Sequence, residues 1–434
     1  MIDFSLLPMT DFPPDPDVTV DTLSNGARVL TIRLPHLDSV AVSVFVRTGS
    51  RHESPRLNGI SHFVEHMAFK GTHERSCQQI NLDAERLGAD VNAHTDKDHT
   101  AYHMRGMARD AVRFVEMLGD IVRNSTFPEA ELERERQVIL HEFVEDEEDP
   151  LATAYKLFDE ACYGSHPLAQ AVIGTRRNIR RITRADLLGY VERQYSGANV
   201  IVGVAGNVDP GAMLKAAEAA FGAMPQGTPH VVPRPAYLGG VRSRRQPGCS
   251  QVDVVLGFPI PALTEEFHPG LVAAALFGEG MSSPLMDEIR ERRGLVYYAA
   301  CSADVTDLSG QFVIEAATGP EHLDEFLGEA TRLLAAQAEG IDPVGLERAR
   351  NQIAVRTLGA LERPSRRLED AALDLLVHGR VRSRVELLAR VETVSADAVR
   401  EVFRRMLGAP ASLALAGKVR QADIDRARSR VARH

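Results

Sequence analysis

His62, Glu65 and His66 fall in the run His62-Phe63-Val64-Glu65-His66, where two imidazoles four residues apart bracket a carboxylate. On a helix of about 3.6 residues per turn, positions i, i+3 and i+4 share a face, so the three side chains would project together. Two neutral imidazoles placed this way can hold one divalent cation, and the carboxylate beside them can take a proton from water that the cation acidifies. Two histidines alone are equally a polar pair on a helix surface. A metal centre needs a third protein donor.

The strongest source of that donor is the run Glu133 to Phe143. Glu135 and Glu142 are seven residues apart, two turns along one helical face, and the apolar Val138 and Ile139 between them predict that this face turns inward. Buried carboxylates need a partner, which a cation held by two histidines would provide. The alternative is a solvated acidic helix continuous with Glu145 to Asp149. His141, adjacent to Glu142, would point about 100° away around the helix.

These residues have to be positioned by a larger framework. Strands are predicted at Val18 to Thr22 and Ala27 to Arg33 around the hairpin signal Asn25-Gly26, then at Ser39 to Thr48, Ala89 to Thr95, Thr100 to Gly106 and Val200 to Ala205. Helices are predicted over the histidine motif, Cys77 to Leu87, Arg109 to Asn124, Pro128 to Glu147 and Pro150 to Tyr163, with another beginning at Thr183. Residues 222–250 are rich in Gly, Pro and basic residues without an apolar period, which is linker composition. Beyond them the order recurs. Strands are expected at Gln251 to Phe258, Val296 to Ala303, Gly310 to Ala316 and Ser412 to Ala416. Helices are expected at His268 to Phe277, Ser283 to Arg292, Pro320 to Glu339, Pro343 to Ala360, Pro364 to Val377 and Ser395 to Met406. The expectation is an α+β chain of two similar units, 1–221 and 251–434, each a mostly antiparallel sheet packed against helices.

At 434 residues, 44% hydrophobic and 25% charged, the chain suits two globular domains. A net charge of -10 argues against a nucleic-acid partner, because phosphate binding needs a basic face. Cys77, Cys162, Cys249 and Cys301 are scattered without C-x-x-C spacing, which fits a reducing compartment. The lead Met1 to Asp17 carries acids and prolines instead of a basic start and apolar run, and no window is apolar enough to span a membrane. A cytoplasmic location is the expectation.

The longer run His62-Phe63-Val64-Glu65-His66-Met67-Ala68-Phe69-Lys70-Gly71-Thr72 resembles the signature of the pitrilysin/insulinase metallopeptidases, especially their short members, the mitochondrial processing peptidase group and its bacterial relatives. The third ligand of that family is a glutamate about 76 residues after the second histidine, and Glu142 stands 76 residues after His66. The resemblance thus implies one Zn2+ per chain on His62, His66 and Glu142, with Glu65 as general base and Glu135 orienting a ligand or the water. His73, His94, His99 and His103 match no ligand position of the family and are read as exposed polar surface, and His141, pointing away, is likewise set aside as a ligand. Gly88 to Thr95 resembles the family's edge strand, implying that Asn92 and Ala93 bind an extended peptide; an ordinary sheet edge is the alternative.

The second unit carries a further likeness. Phe277 to Ser283, followed by Arg290 to Tyr297, is similar to the family's C-terminal block, in which an arginine and a tyrosine seven residues apart bind substrate. Arg290 and Tyr297 have that spacing, and a cation with a phenol donor suits an oxyanion. Arg292 and Arg293 read as solvated charge at a helix end. Pro284 departs from the family, which usually has Arg there. Gly278 to Gly280 lacks the pattern of a nucleotide-binding loop. The resemblance implies a zinc metalloendopeptidase acting on unfolded peptides or presequence-like segments. It further implies that 1–221 is the zinc-binding catalytic domain, that 251–434 carries the Arg/Tyr pair, and that the two form half of a clamshell chamber closed by a second copy in a homodimer. The alternative is a non-catalytic structural or assembly subunit of the same fold.

Overall fold

Val40, Val42, Val44 and Val46 alternate along one strand with Ala41, Ser43 and Phe45, and both sets are buried. A strand buried on both faces must be covered on both sides. The computed structural model, which describes residues 12–431, shows how; the earlier part of the Pro- and Asp-rich lead lies outside the described residues.

The first sheet contains β1 (Val18–Thr22), β2 (Arg28–Arg33), β3 (Ser39–Val46), β4 (Asp90–Thr95), β5 (Thr100–Met107) and β6 (Val200–Gly206), in the order β1-β2-β6-β3-β5-β4. The second contains β7 (Gly240–Arg245), β8 (Val252–Ile260), β9 (Val296–Val305), β10 (Gly310–Thr318) and β11 (Ser412–Gly417), in the order β7-β11-β8-β10-β9. Setting β7 to β11 against β2 to β6 gives the same order, and the one parallel pair falls in the same place, β2/β6 and β7/β11. The remaining neighbours are antiparallel. The expected α+β architecture of two similar, mostly antiparallel units is therefore present.

Gly240–Arg245, inside the stretch whose composition reads as linker, is the strand that the repeat would otherwise lack. It escapes periodicity because it is an edge strand carrying Arg242, Arg244 and Arg245, with no residue fully buried. Helices Arg176–Arg181, Pro210–Phe221, Arg384–Glu392 and Gln421–Val431 also add to those expected, and the helix expected from Pro320 begins at Leu323. No described helix is long and apolar enough to cross a membrane.

Each sheet has one face packed on helices of its own half. The valine face of β3 meets Phe114, Val115 and Leu118, and Val252, Val254 and Leu256 meet Val272, Leu276 and Phe403. The opposite faces are covered crosswise. The helix Pro364–His378 lays Leu368, Ala371, Ala372 and Leu375 on Leu30, Phe45, Ile201 and Ala205 of the first sheet. The helix Pro150–Tyr163 lays Ala154, Phe158 and Cys162 on Val255, Val313, Ala414 and Ala416 of the second. Glycines allow the close approach: a Cβ on Gly203 would stand 2.8 Å from Leu368 Cδ1, and one on Gly257 would stand 2.4 Å from Phe158 Cζ. Arg51 adds a two-pronged ion pair to Asp307 at 2.6 and 3.2 Å.

Because the cover is exchanged, a cavity in one half should loosen the sheet of the other. Leu368→Ala is expected to cost about 2–5 kcal/mol and to speed amide hydrogen exchange in β2 and β6, while Val355→Ala on an exposed helix face leaves both within about 0.5 kcal/mol of wild type. Exchange mass spectrometry with urea denaturation checks this.

Candidate metal centre

The histidine motif forms the nine-residue helix Ile60–Ala68, with Ile60, Phe63, Val64 and Met67 buried and His62, Glu65 and His66 on the half-exposed side. A helix this short depends on its ends. Its first turn is capped by Glu53, buried at 4% exposure, which accepts from the Gly59 and Ser61 N–H groups at 2.7 Å each and from the Asn58 amide at 2.9 Å. Burial raises the Glu53 carboxyl, and the Ser61 and Gly59 N–H groups pull it back. Gly59 has φ 99°, and a Cβ there would meet the Ile173 carbonyl at 2.8 Å.

The acidic helix Glu129–Glu148 crosses the motif helix and buries Leu132, Glu135, Arg136, Ile139 and Phe143. Arg136 lies over the Phe63 ring, 5.5 Å from its centroid, and donates to the carbonyls of Ile179 and Ile182, so the crossing is pinned. Val138 is 44% exposed, contrary to the inward face expected for it. The inward stripe runs through Glu135, Ile139 and Phe143 instead.

The crossing brings three donors together. His62 Nε2 and His66 Nε2 are 3.3 Å apart, and Glu142 Oε2 lies 3.7 Å from the first and 3.4 Å from the second. Tetrahedral ligands at zinc bond lengths of about 2.0–2.1 Å would stand about 3.3–3.4 Å from one another. The triangle fits a zinc ion. Burial, then the neighbouring His66, lowers His62 to about 4, keeping its imidazole neutral and able to ligate. Burial raises the Glu142 carboxyl, and Glu65 and Glu135 add to the rise against His66; a cation would relieve that crowding.

Glu135 supports this geometry from behind. Its Oε2 lies 3.1 Å from His66 Nδ1, which directs Nε2 toward the other donors, and its Oε1 pairs with Lys70 Nζ at 2.7 Å. Lys70 was given no role from the sequence. Its spacing, four residues after His66 as His66 is four after His62, carried the signal. His62 Nδ1 is buried without a hydrogen-bond partner among the described residues.

Glu65 lines an open groove of about 560 Å³ together with His62, Glu142, Ala93, Lys97 and Tyr155. Along this groove β4 is the edge of its sheet, paired among the described residues only to β5. Ala93 faces the groove, whereas Asn92 lines the cavity on the opposite face of the sheet, its Oδ1 accepting from the Ala93 N–H at 2.8 Å. Arg290 and Tyr297 are not brought to the groove. Arg290 sits in the π-helical segment Leu285–Arg292, against Met281 Sδ at 3.5 Å, and Tyr297 is 81% exposed on β9. Of the histidines read as polar surface, His73 and His141 are exposed. His99 is not: it is 1% exposed, and His94 and His103 are half-buried beside it.

The helix His268–Gly278 packs on β9 as the motif helix packs on β4, but it is buried nearly all round and has no histidine pair. The fold and site thus define a duplicated α+β protein with a metal-ready centre in one repeat. Residues 28–176 match the family described as Insulinase (Peptidase family M16), and residues 181–353 match the Peptidase M16 inactive domain. An uncharacterized zinc protease of Rickettsia bellii is 31% identical over 400 residues, which cover 92% of this chain and 97% of that protein. A protease from Helicobacter pylori superposes with TM-score 0.85 at 22% identity, over 94% of this chain and 100% of that one. A chain of complex III2 from Candida albicans does so with TM-score 0.84 at 18% identity, over 95% and 99%. The chain belongs to peptidase family M16, whose relatives are named zinc proteases.

If Glu135 holds His66 for the metal, Glu135→Gln should weaken zinc binding about 10–100-fold with no change in the circular dichroism spectrum. Competition with a chromogenic chelator measures it, and unchanged affinity would remove Glu135 from that role.

Proposed function

We propose that this chain is a zinc endopeptidase that hydrolyses unfolded peptides, presequence-like segments among them. One observation carries the reading: His62 Nε2, His66 Nε2 and Glu142 Oε2 converge within 3.7 Å at an open groove that also holds Glu65. A zinc ion held by these residues supplies Lewis acidity at a substrate carbonyl and lowers the pKa of a water beside it. Glu65 takes the proton released by the attacking water and returns it to the leaving amine. Glu135 keeps His66 turned toward the ligand position. The free edge of β4 at Ala93 pairs with the backbone of an extended peptide, which demands little of the peptide's sequence and excludes folded chains.

Arg290 and Tyr297 belong, in this reading, to substrate held in the groove of a neighbouring copy, where the guanidinium and phenol stabilise developing oxyanion charge. The exposure of Tyr297 and the half-buried position of Arg290 on the second half, away from their own groove, support this assignment. The functional unit is then a homodimer enclosing a chamber, with each active site shared, in the cytoplasm, where free thiols at Cys77, Cys162, Cys249 and Cys301 are at home. The fold likeness to a complex III2 chain favours a second reading, a non-catalytic structural or assembly subunit. The full donor set beside Glu65 weighs against it.

Glu65→Gln is expected to keep the wild-type zinc content while cleavage of a quenched peptide falls at least about 100-fold. Wild-type cleavage by this variant, with chelated protein inactive, would contradict the role of Glu65. Mixing Glu65→Gln with Tyr297→Phe chains should restore one intact site per mixed dimer. Absence of rescue despite proven subunit exchange counts against shared sites.

A further inference from the structure

The reverse face of the first sheet holds a second cluster of metal-ligating side chains, none of them a groove donor, although His94 also reaches the rim of the groove. His94 on β4, His99 in the β4–β5 turn and Glu369 on the helix Pro364–His378 each offer a donor atom, all within 4.8 Å of one another. His94 Nε2 stands 3.7 Å from Glu369 Oε1. The His99 ring centroid is 5.4 Å from that of His94, and His103 on β5 adds a third imidazole 5.5 Å from His94. The cluster borders a cavity of about 880 Å³ lined by His94, His103 and Glu369.

Two features distinguish it from a patch of polar surface. His99 is 1% exposed, and among the described residues neither of its ring nitrogens, both buried, has a hydrogen-bond partner, a state that costs free energy unless something occupies the site. Its Nδ1 lies 3.0 Å from Asp96 Oδ2. A carboxylate beside one nitrogen of an imidazole is how metal-binding histidines are commonly oriented, and Asp96 stands in that place, close to Nδ1 though not aligned as a hydrogen bond. The second feature is the divided use of Glu369. Arg366 takes Oε2 at 3.2 Å and Asp370 at 3.1 Å, so Oε1 is the oxygen turned to the histidine side.

We infer that His94, His99 and Glu369 form a second divalent-metal site, with His103 as the nearest further donor. Two or three imidazoles with one carboxylate select a borderline first-row cation such as zinc over magnesium or calcium. The site would be structural. It joins the strand hairpin that carries Ala93 to a helix contributed by the other half of the chain, and a bound ion would lock the exchanged cover onto the edge of the sheet.

The test counts zinc by elemental mass spectrometry in protein dialysed against zinc and then against metal-free buffer. Wild type is expected to retain two ions per chain, His62→Ala/His66→Ala one, and that variant with His94→Ala or Glu369→Ala added none. His94 is 40% exposed and Glu369 26%, so both changes spare the core. If the histidine double variant does not fold, Glu369→Ala alone reads the same site by taking wild type from two ions to one. Zinc should also raise the thermal midpoint of the histidine double variant, a rise abolished by His94→Ala. One ion in wild type with none in the histidine double variant, or a midpoint that zinc does not move, overturns the proposal and leaves the cluster as an imidazole–carboxylate network. In the variants that lack His62 and His66 the groove ligands are removed, so their outcome is separate from that of the peptidase reading.

Discussion

The crossing of two helices is the constraint on which the site rests. His62 and His66 come from a nine-residue helix and Glu142 from a twenty-residue one, with the glutamate 76 positions after the second histidine. Their donor atoms meet within 3.7 Å because Arg136 spans Phe63 and the carbonyls beyond it, and because Glu135 and Glu53 fix the orientation and the start of the motif helix. Removing such a support would leave all three donors in the chain but less well held for a metal. Preorganisation of this kind is what lets a metal bind tightly without rebuilding its surroundings.

The crosswise cover extends the same logic to the whole chain. Each sheet has one face sealed by its own helices and the other by a helix from the opposite half, so neither sheet is complete alone. Duplication of the strand order with loss of the histidine pair at His268–Gly278 leaves one repeat for a metal and the other free for different contacts. The exposed position of Tyr297, with Arg290 half-buried seven residues before it, fits that division of labour.

Much of this was legible in the sequence because it obeyed a period or a spacing. Most strands and helices follow from apolar patterning and turn signals, whereas Glu142 as the third donor and the edge character of the strand at Ala93 came from the resemblance to the family signature. What was hidden depended on partners far away in the chain. Gly240–Arg245 has no apolar alternation because an edge strand with three arginines is defined by its pairing with β11. Val138 sits between two inward carboxylates, yet the ridge that contacts the motif helix passes beside it. His99 looked like surface because the helix that buries its sheet face arrives some 270 residues later, on the order of a whole domain length away.

The most direct test of the central claim is a crystal structure of the zinc-loaded protein with anomalous data collected at the zinc edge. The account predicts an anomalous peak bonded to His62 Nε2, His66 Nε2 and Glu142, with Glu65 unligated beside it. A fully occupied zinc elsewhere with none on this triad, or one bonded to the histidines while Glu142 points away, would contradict it.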